Sequence, residues 1–211
     1  MSRDILLFGG GDSEHQAALL QWAERTPGLH SFMPDFHRLQ LEHWIWMHRA
    51  HLTGRVLDIG VENPRRWIGA GYRTLNERGG DVTGTLLALP FADGTFDALV
   101  LTEVLEHCVD PSLAMTEVWR VLKPGGLVLV TSPFIWPEHG REGEYRDYWR
   151  FTRHGWERLL DAFVGRQITP CAWTTEGAQC YDLMRRFECQ GLRALTQATT
   201  GYLCSARKGE S

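Results

Sequence analysis

The residues best suited to chemistry lie in a polar and aromatic stretch, residues 134–152. This stretch contains His139 and Asp147 among several tyrosines, tryptophans and arginines. Histidine is the usual general base near neutral pH, because its imidazole titrates in that range. Long loops of this composition often cover and bind a substrate. A second histidine of interest, His107, follows an apolar segment that ends at Thr102.

The element that must position these residues begins with the segment 55–60, RVLDIG. Its apolar residues predict a short buried strand, in which Asp58 is charged, and Gly60 predicts a sharp turn off the sheet. Ligands of open α/β folds bind beyond the carboxyl ends of such strands. A ligand-binding turn usually continues with further glycines, but this chain continues with Glu62 and Pro64.

Strands and helices alternate over residues 55–131, which is typical of a doubly wound parallel sheet. The near-continuous apolar run FDALVLT favours a strand buried on both faces. The sequence thus predicts a single-domain α/β fold. The predicted strands are 55–60, 72–76, 96–102, 127–131, 168–173 and 201–206, and the predicted helices are 36–52, 112–122, 153–163 and 181–195.

The first 35 residues are interpreted as an N-terminal extension, followed by one domain over residues 36–208. An alternative interpretation makes residues 5–8 a strand and the glycines 9–11 a phosphate-binding turn, with a helix from Asp12 or Ser13 to Arg25. A single glycine cluster is weak evidence for a phosphate site. We therefore favour the extension.

Composition limits the classes of function. The chain has 211 residues, 43% of them hydrophobic and 23% charged, and a formal net charge of −4. This charge does not predict binding to nucleic acid, and the apolar runs are too short to predict a membrane span. The five cysteines, an odd number without close pairs, suit free thiols in a reducing compartment. We expect a cytoplasmic protein and no metal site.

Three sequence strings carry a resemblance to a known family. They are LPFADGTFD at residues 89–97, EVLEH at residues 103–107 and RVLKPGG at residues 120–126. In this order and spacing the chain resembles the class I S-adenosylmethionine-dependent methyltransferases of the methyltransferase type 11 kind. The resemblance implies a Rossmann-like fold, a mostly parallel sheet with an antiparallel last strand, and S-adenosylmethionine as the cofactor.

The resemblance also implies where the cofactor binds. The family's acidic residue and glycine-rich turn correspond to Asp58, Gly60 and Glu62. Its ribose-binding acid corresponds to Asn76, and its adenine-binding acid to Thr85. The residues that we expect around the cofactor are Asp58, Gly60, Glu62, Asn76, Thr85, Leu86, Thr102 and Glu103. Arg65 or Arg66 is a candidate for the methionine carboxylate, and the alternative is a solvated helix start.

The acceptor side is expected after the fifth strand of the main sheet. The segment 134–152 resembles a subgroup common in sugar and surface-polysaccharide biosynthesis, which implies a small-molecule or glycan acceptor. His139 is our candidate base, oriented by Asp147, with His107 as a second candidate. The alternatives are that Asp147 pairs with Arg150 or caps a helix. A further alternative is a member of the fold that has lost methyl transfer and serves as a binding or partner subunit.

Overall fold

A computed structural model describes residues 13–26, 36–60, 71–171 and 199–210. The predicted Glu62, Arg65 and Arg66 and the predicted helix 181–195 lie outside these ranges. Seven strands form one sheet in the order β3-β2-β1-β4-β5-β7-β6. They are β1 (Val56–Gly60), β2 (Tyr72–Asn76), β3 (Val82–Thr83), β4 (Phe96–Thr102), β5 (Leu122–Pro133), β6 (Val164–Pro170) and β7 (Gly201–Arg207).

The sheet topology confirms the predicted fold class. Neighbouring strands from β3 to β5 pair in parallel, whereas β7 runs antiparallel to both β5 and β6. The described helices are α1 (Ser13–Glu24), α2 (Phe36–His48), α3 (Pro111–Val121) and α4 (Arg153–Leu159). None of these helices is long and apolar enough to cross a membrane.

Alternating side chains bury both faces of the sheet. Leu57 and Leu99 belong to a core cluster that includes residues of α3 and α4. Their neighbours Val56 and Val100 belong to a second cluster, which includes residues of α2. Successive strand residues point to opposite faces, so a central strand with helices on both sides must be apolar throughout. This explains why FDALVLT is a nearly continuous apolar run.

Two consecutive glycines shorten the connection between β2 and β3. Gly79 and Gly80 have φ angles of 105° and 82°, in the region that glycine tolerates best. Beyond them, Asp81 accepts hydrogen bonds from the backbone and the hydroxyl of Thr74, at 3.0 and 3.2 Å. Parallel strands usually need a long crossover. Here the chain steps directly from Asn76 to the short edge strand β3, without a helix between them.

Several predicted boundaries differ from those of the structure. Strand β5 was predicted to begin at residue 127 but begins at Leu122 and includes the KPGG residues, because the backbone of Gly125 and Gly126 pairs with Lys208. The helix at residue 153 ends at Leu159, since the next residues form tighter turns. The strand β6 begins at Val164 and ends at Pro170. Its first residues are exposed, so they lack the apolar pattern of a strand.

The first helix packs on the second through a small apolar cluster. Leu19 of α1 and Leu39 of α2 are both buried there, and Trp22 packs against them. The rings of Trp22 and His43 meet edge to face with centroids 4.9 Å apart. The division between an N-terminal extension and a domain that begins at residue 36 stays a prediction.

Candidate active site

The ends of three parallel strands bring together residues predicted to surround the cofactor. Gly60 at the end of β1 lies in register with Thr102 at the end of β4. On the other side of β1, the Asn76 side-chain amide donates a hydrogen bond to the Gly60 carbonyl oxygen, at 3.3 Å. The predicted residues Gly60, Asn76, Thr102 and Glu103 therefore share one edge of the sheet, as the carboxyl ends of parallel strands must.

Gly60 is a position that only glycine fits without strain. Its φ angle is +115°, and a Cβ atom there would lie 2.4 Å from Cγ2 of Val104. Real Cβ atoms do not come that close to another carbon, so a side chain would force the two turns apart. The absence of a side chain lets the turn after β4 close over the end of β1.

Glu103 takes an unusual backbone conformation directly after β4. Its φ angle of 54° is the only positive one among the non-glycine residues that the structure describes. Thr131 of β5 holds this turn, because its hydroxyl donates to Oε1 of Glu103 at 2.8 Å and accepts the Glu103 backbone N–H at 3.2 Å. Strained backbone of this kind is common at functional sites. The adjacent Thr102 is fully buried.

Asp58 points away from this edge into the interior. The side chain is 1% exposed, and the hydroxyl of Tyr72 donates a hydrogen bond to its Oδ2. Tyr72 belongs to the core cluster on the α2 side of the sheet. This geometry supports a structural role for Asp58. Its role in binding the cofactor stays a prediction.

Thr85 and Leu86 lie in the turn that follows β3. Thr85 pairs with Ala88 in an isolated antiparallel bridge, and its hydroxyl accepts a long hydrogen bond from Leu87 N–H, at 3.4 Å. Leu86 is buried and packs in the main core. Because the Leu86 side chain lies in the core, Leu86 would contribute to the predicted cofactor site through its backbone.

The segment after β4 and the segment after β5 meet at a cluster of two histidines and one glutamate. The rings of His107 and His139 meet edge to face, with centroids 4.8 Å apart. Oε1 of Glu106 lies 3.7 Å from Nε2 of His107 and 4.0 Å from Nε2 of His139. The structure therefore unites both candidate bases, whereas Glu106 was not predicted as a site residue. The sequence feature that could have indicated Glu106 is the presence of a carboxylate in the turn that directly follows an apolar strand.

Hydrogen bonds fix the tautomer of both histidines. Nδ1 of His107 lies 2.8 Å from the carbonyl oxygen of Arg146, and Nδ1 of His139 lies 3.1 Å from that of Pro137. A carbonyl oxygen can only accept, so each Nδ1 carries the proton. Each Nε2 of the neutral ring therefore presents a lone pair, and both face the carboxyl group of Glu106.

Asp147 supports His139 and pairs with an arginine at the same time. Oδ2 of Asp147 accepts the backbone N–H of His139 at 3.0 Å and lies 3.1 Å from its Nδ1. Arg150 donates to both oxygens of Asp147, at 2.5 and 2.6 Å. This fork, together with the His139 backbone bond, lowers the pKa of Asp147 to about 2 against the opposing effect of burial. Of the three arrangements considered for Asp147, the contact with His139 and the pairing with Arg150 thus occur together.

Burial governs the titration of the other two groups in the cluster. Glu106 is fully buried, and no other described residue donates a hydrogen bond to its carboxyl oxygens. Burial raises the pKa of Glu106 well above its usual value, and the charges of Glu103 and Asp147 raise it further. Burial also lowers the pKa of His107, as does the neighbouring His139. Burial therefore favours the uncharged forms of Glu106 and His107.

Exposed rings surround this cluster. Tyr145 packs edge to face on His107 with centroids 4.7 Å apart. Tyr145, Tyr148 and Trp149 are 40%, 44% and 42% exposed, respectively, which is unusual for large rings. The backbone N–H of Tyr148 donates to the Glu106 carbonyl oxygen at 2.7 Å. The aromatic segment is thereby tied to the turn that carries Glu106 and His107.

The family strings LPFADGTFD and RVLKPGG meet in a structural clamp. Arg120 donates to the carbonyl oxygens of Leu89 and Phe91, at 3.0 and 2.8 Å. The same guanidinium pairs with Asp93 and with Glu117, and Glu117 accepts the Leu89 backbone N–H at 2.8 Å. These motif residues therefore hold the loop before β4 in place and lie outside the histidine cluster.

The sheet order and the antiparallel last strand give this chain the fold of the class I methyltransferases. Residues 66–130 match the family described as "Methyltransferase domain". A probable S-adenosylmethionine-dependent methyltransferase of Mycolicibacterium smegmatis is 32% identical over 146 residues, covering 60% of this chain and 56% of that protein. These matches confirm the family resemblance read from the three strings.

Two further similarities, one to a relative and one to a solved structure, show how much of the chain is matched. A methyltransferase of Mycolicibacterium gilvum is 38% identical over 107 residues, covering 46% of this chain and 42% of that protein. The solved structure of the [4+2]-cyclase SpnF has a TM-score of 0.55 at 17% identity and covers 92% of this chain and 93% of its own. The aligned part of the chain spans 42% of the length of the Mycolicibacterium gilvum protein and 56% of that of the Mycolicibacterium smegmatis protein. The similarity to the cyclase shows a shared fold alone.

Proposed function

We propose that this chain transfers a methyl group from S-adenosylmethionine to an oxygen or nitrogen atom of a small-molecule or glycan intermediate. One observation carries the proposal. Gly60, Asn76 and Glu103 at the ends of β1, β2 and β4 share an edge of the sheet with His139, which follows β5. This shared edge supports the proposal that one group of residues binds the cofactor and that His139 accepts a proton.

The residues at this edge suit the polar groups of the cofactor. The Asn76 amide nitrogen is engaged by the Gly60 carbonyl, which leaves its amide oxygen to accept a ribose hydroxyl. An amide does so without the charge assistance of a carboxylate. Glu103 adds a carboxylate that Thr131 holds in one orientation. Gly60 lets a ligand approach the backbone closely.

S-adenosylmethionine, when bound, supplies an electrophilic methyl group on a sulfonium. The chain then has to hold the acceptor atom in line with that methyl group and to exclude water. If the acceptor is a hydroxyl, Nε2 of His139 receives its proton, with Asp147 fixing the tautomer. The exposed rings of Tyr145, Tyr148 and Trp149 offer apolar faces to a sugar or another small acceptor.

A second candidate is a protein of this fold that binds a ligand without transferring a methyl group. Asn76 and Thr85 favour it, because each stands where related methyltransferases carry an acid. The similarity to the cyclase SpnF also agrees with the rule that a fold alone does not determine function.

Isothermal titration with S-adenosylmethionine and with S-adenosylhomocysteine separates the two candidates. The proposed function requires binding of both, and the absence of heat with either at high micromolar concentration would refute it. Transfer is then tested with radiolabelled S-adenosylmethionine and a panel of sugar nucleotides. Tight binding without label on any acceptor, together with a cofactor left intact, favours the second candidate.

A further inference from the structure

We propose that Glu106, His107 and His139 form a binding site for a divalent transition-metal ion of the zinc class. One ligand atom from each residue lies within 4.8 Å of the other two. Two imidazoles and one carboxylate are a ligand set that proteins use for zinc and for related ions, with further positions left open. The sequence predicts no such site, because its members come from two separate segments.

The spacing of the three ligand atoms fits an ion better than it fits hydrogen bonds. Oε1 of Glu106 is 3.7 Å from Nε2 of His107 and 4.0 Å from Nε2 of His139. Both distances are too long for a hydrogen bond. Zinc–ligand bonds of about 2.0–2.2 Å place tetrahedral ligand atoms roughly 3.4 Å apart. A small inward shift of three side chains would therefore complete the coordination.

Each histidine is already oriented as a metal ligand. The Nδ1–H of His107 is held by the Arg146 carbonyl, and that of His139 by the Pro137 carbonyl and by Asp147. Metal-bound histidines almost always donate their second ring N–H to a carbonyl or a carboxylate in this way. This arrangement leaves both Nε2 lone pairs directed at the site.

The charges around the site also favour a cation. Glu106 is fully buried and receives no hydrogen bond from another described residue, and a buried carboxylate without a partner is costly. Asp147 lies 3.1 Å from Nδ1 of His139 and brings further negative charge to the cluster, and Arg150 pairs with Asp147. The histidines are 18% and 29% exposed at their side chains, so an ion has a path from solvent.

If the chain transfers a methyl group as proposed above, a metal ion at this site also affects that reaction. An ion bound at Nε2 of His139 takes the lone pair that would receive the acceptor proton. We therefore expect zinc to slow methyl transfer to a hydroxyl acceptor, and a chelator to restore it. Metal binding itself is measured without cofactor or acceptor, so its failure and the failure of methyl transfer are separate results.

Cobalt(II) is the probe for the binding experiment, since its visible absorption reports ligand type and geometry. The full chain, stripped with a chelator, is titrated with cobalt(II) and then with zinc(II) as competitor. We expect one equivalent of cobalt(II) with the weak visible bands of nitrogen and oxygen ligation. Glu106→Gln, His107→Gln and His139→Gln should each weaken binding by about 100-fold or more, and Asp147→Asn by about 10-fold.

His154→Gln is the matched control, because His154 is exposed on α4 and takes no part in the cluster. Circular dichroism establishes that each variant is folded before its affinity is compared. Three results would overturn the inference: no cobalt(II) binding by the parent chain, binding that survives all three ligand substitutions, or intense thiolate-to-metal absorption, which would assign the ion to cysteines.

Discussion

His139 and Glu106 follow different strands, yet Nε2 of His139 lies 4.0 Å from the buried Oε1 of Glu106. The two residues meet because β4 and β5 are parallel neighbours whose carboxyl ends open at the same edge of the sheet. The turn after β4 carries Glu106, and the aromatic segment after β5 carries His139. The proposed proton transfer and the proposed metal site both depend on this meeting of two turns.

Replacing His139 tests its part as the proton acceptor. We expect His139→Gln to lower kcat by about 100-fold or more with an identified hydroxyl acceptor, because general-base catalysis contributes on that scale. The affinity for S-adenosylhomocysteine should stay unchanged, since we propose that His139 faces the acceptor and not the cofactor. His154→Gln serves as the control. A kcat within twofold of the parent would remove His139 from the mechanism.

Asn76 is the residue to change for cofactor affinity. Asn76→Asp should tighten S-adenosylhomocysteine binding by about 1 kcal/mol, or roughly fivefold in Kd, because a carboxylate accepts a hydroxyl more strongly than an amide does. Gln167→Glu adds the same charge on the exposed strand β6 and should leave Kd unchanged. Equal affinities of the parent and Asn76→Asp, measured by titration calorimetry, would contradict our placement of the ribose.

Gly60 and Gly79 form a matched pair for separating steric overlap from backbone strain. Both have positive φ angles, but a Cβ at Gly60 meets Val104 at 2.4 Å, whereas one at Gly79 meets nothing within 4 Å. Gly79→Ala should cost about 1 kcal/mol of unfolding free energy. Gly60→Ala should cost roughly 2 kcal/mol more, on the scale of overpacking. Urea unfolding measures both, and equal losses would refute the close contact.

The clamp between Glu117 and Arg120 predicts a loss of stability in acid. The Arg120 hydrogen bond lowers the pKa of Glu117 below its usual value. A lowered pKa in the folded state stabilises the fold above the pKa of the unfolded chain, and this contribution fades as pH falls through the folded value. Between pH 5 and pH 3 the urea midpoint should therefore fall less for Glu117→Gln than for the parent.

Glu157→Gln is the control for this acid titration, because Glu157 forms only an exposed ion pair on α4. Exposed pairs contribute little to stability, so its acid dependence should follow that of the parent. If the urea midpoints of the parent and Glu117→Gln fall equally as the pH is lowered, the stability of the clamp does not depend on the titration of Glu117.

Local patterns were enough to predict the central strands. The segments 72–76 and 96–102 have the predicted boundaries, because an apolar run between turn residues determines a buried strand within a few residues of chain. The three family strings likewise determined the class of fold. Arg120 of one string and its neighbour Glu117 hold Leu89 and Phe91 of another string in place through hydrogen bonds.

What the sequence by itself determined was the parallel sheet, which follows from the alternation of strands and helices, and this sheet supplies the edge at which we place the ligand site. Only the tertiary structure decided that Asp58 points inward, that KPGG extends β5, and that Glu106 lies between His107 and His139. These outcomes depend on contacts between residues distant in the chain. Such contacts leave no periodic signal, because they arise from which strands become neighbours in the sheet.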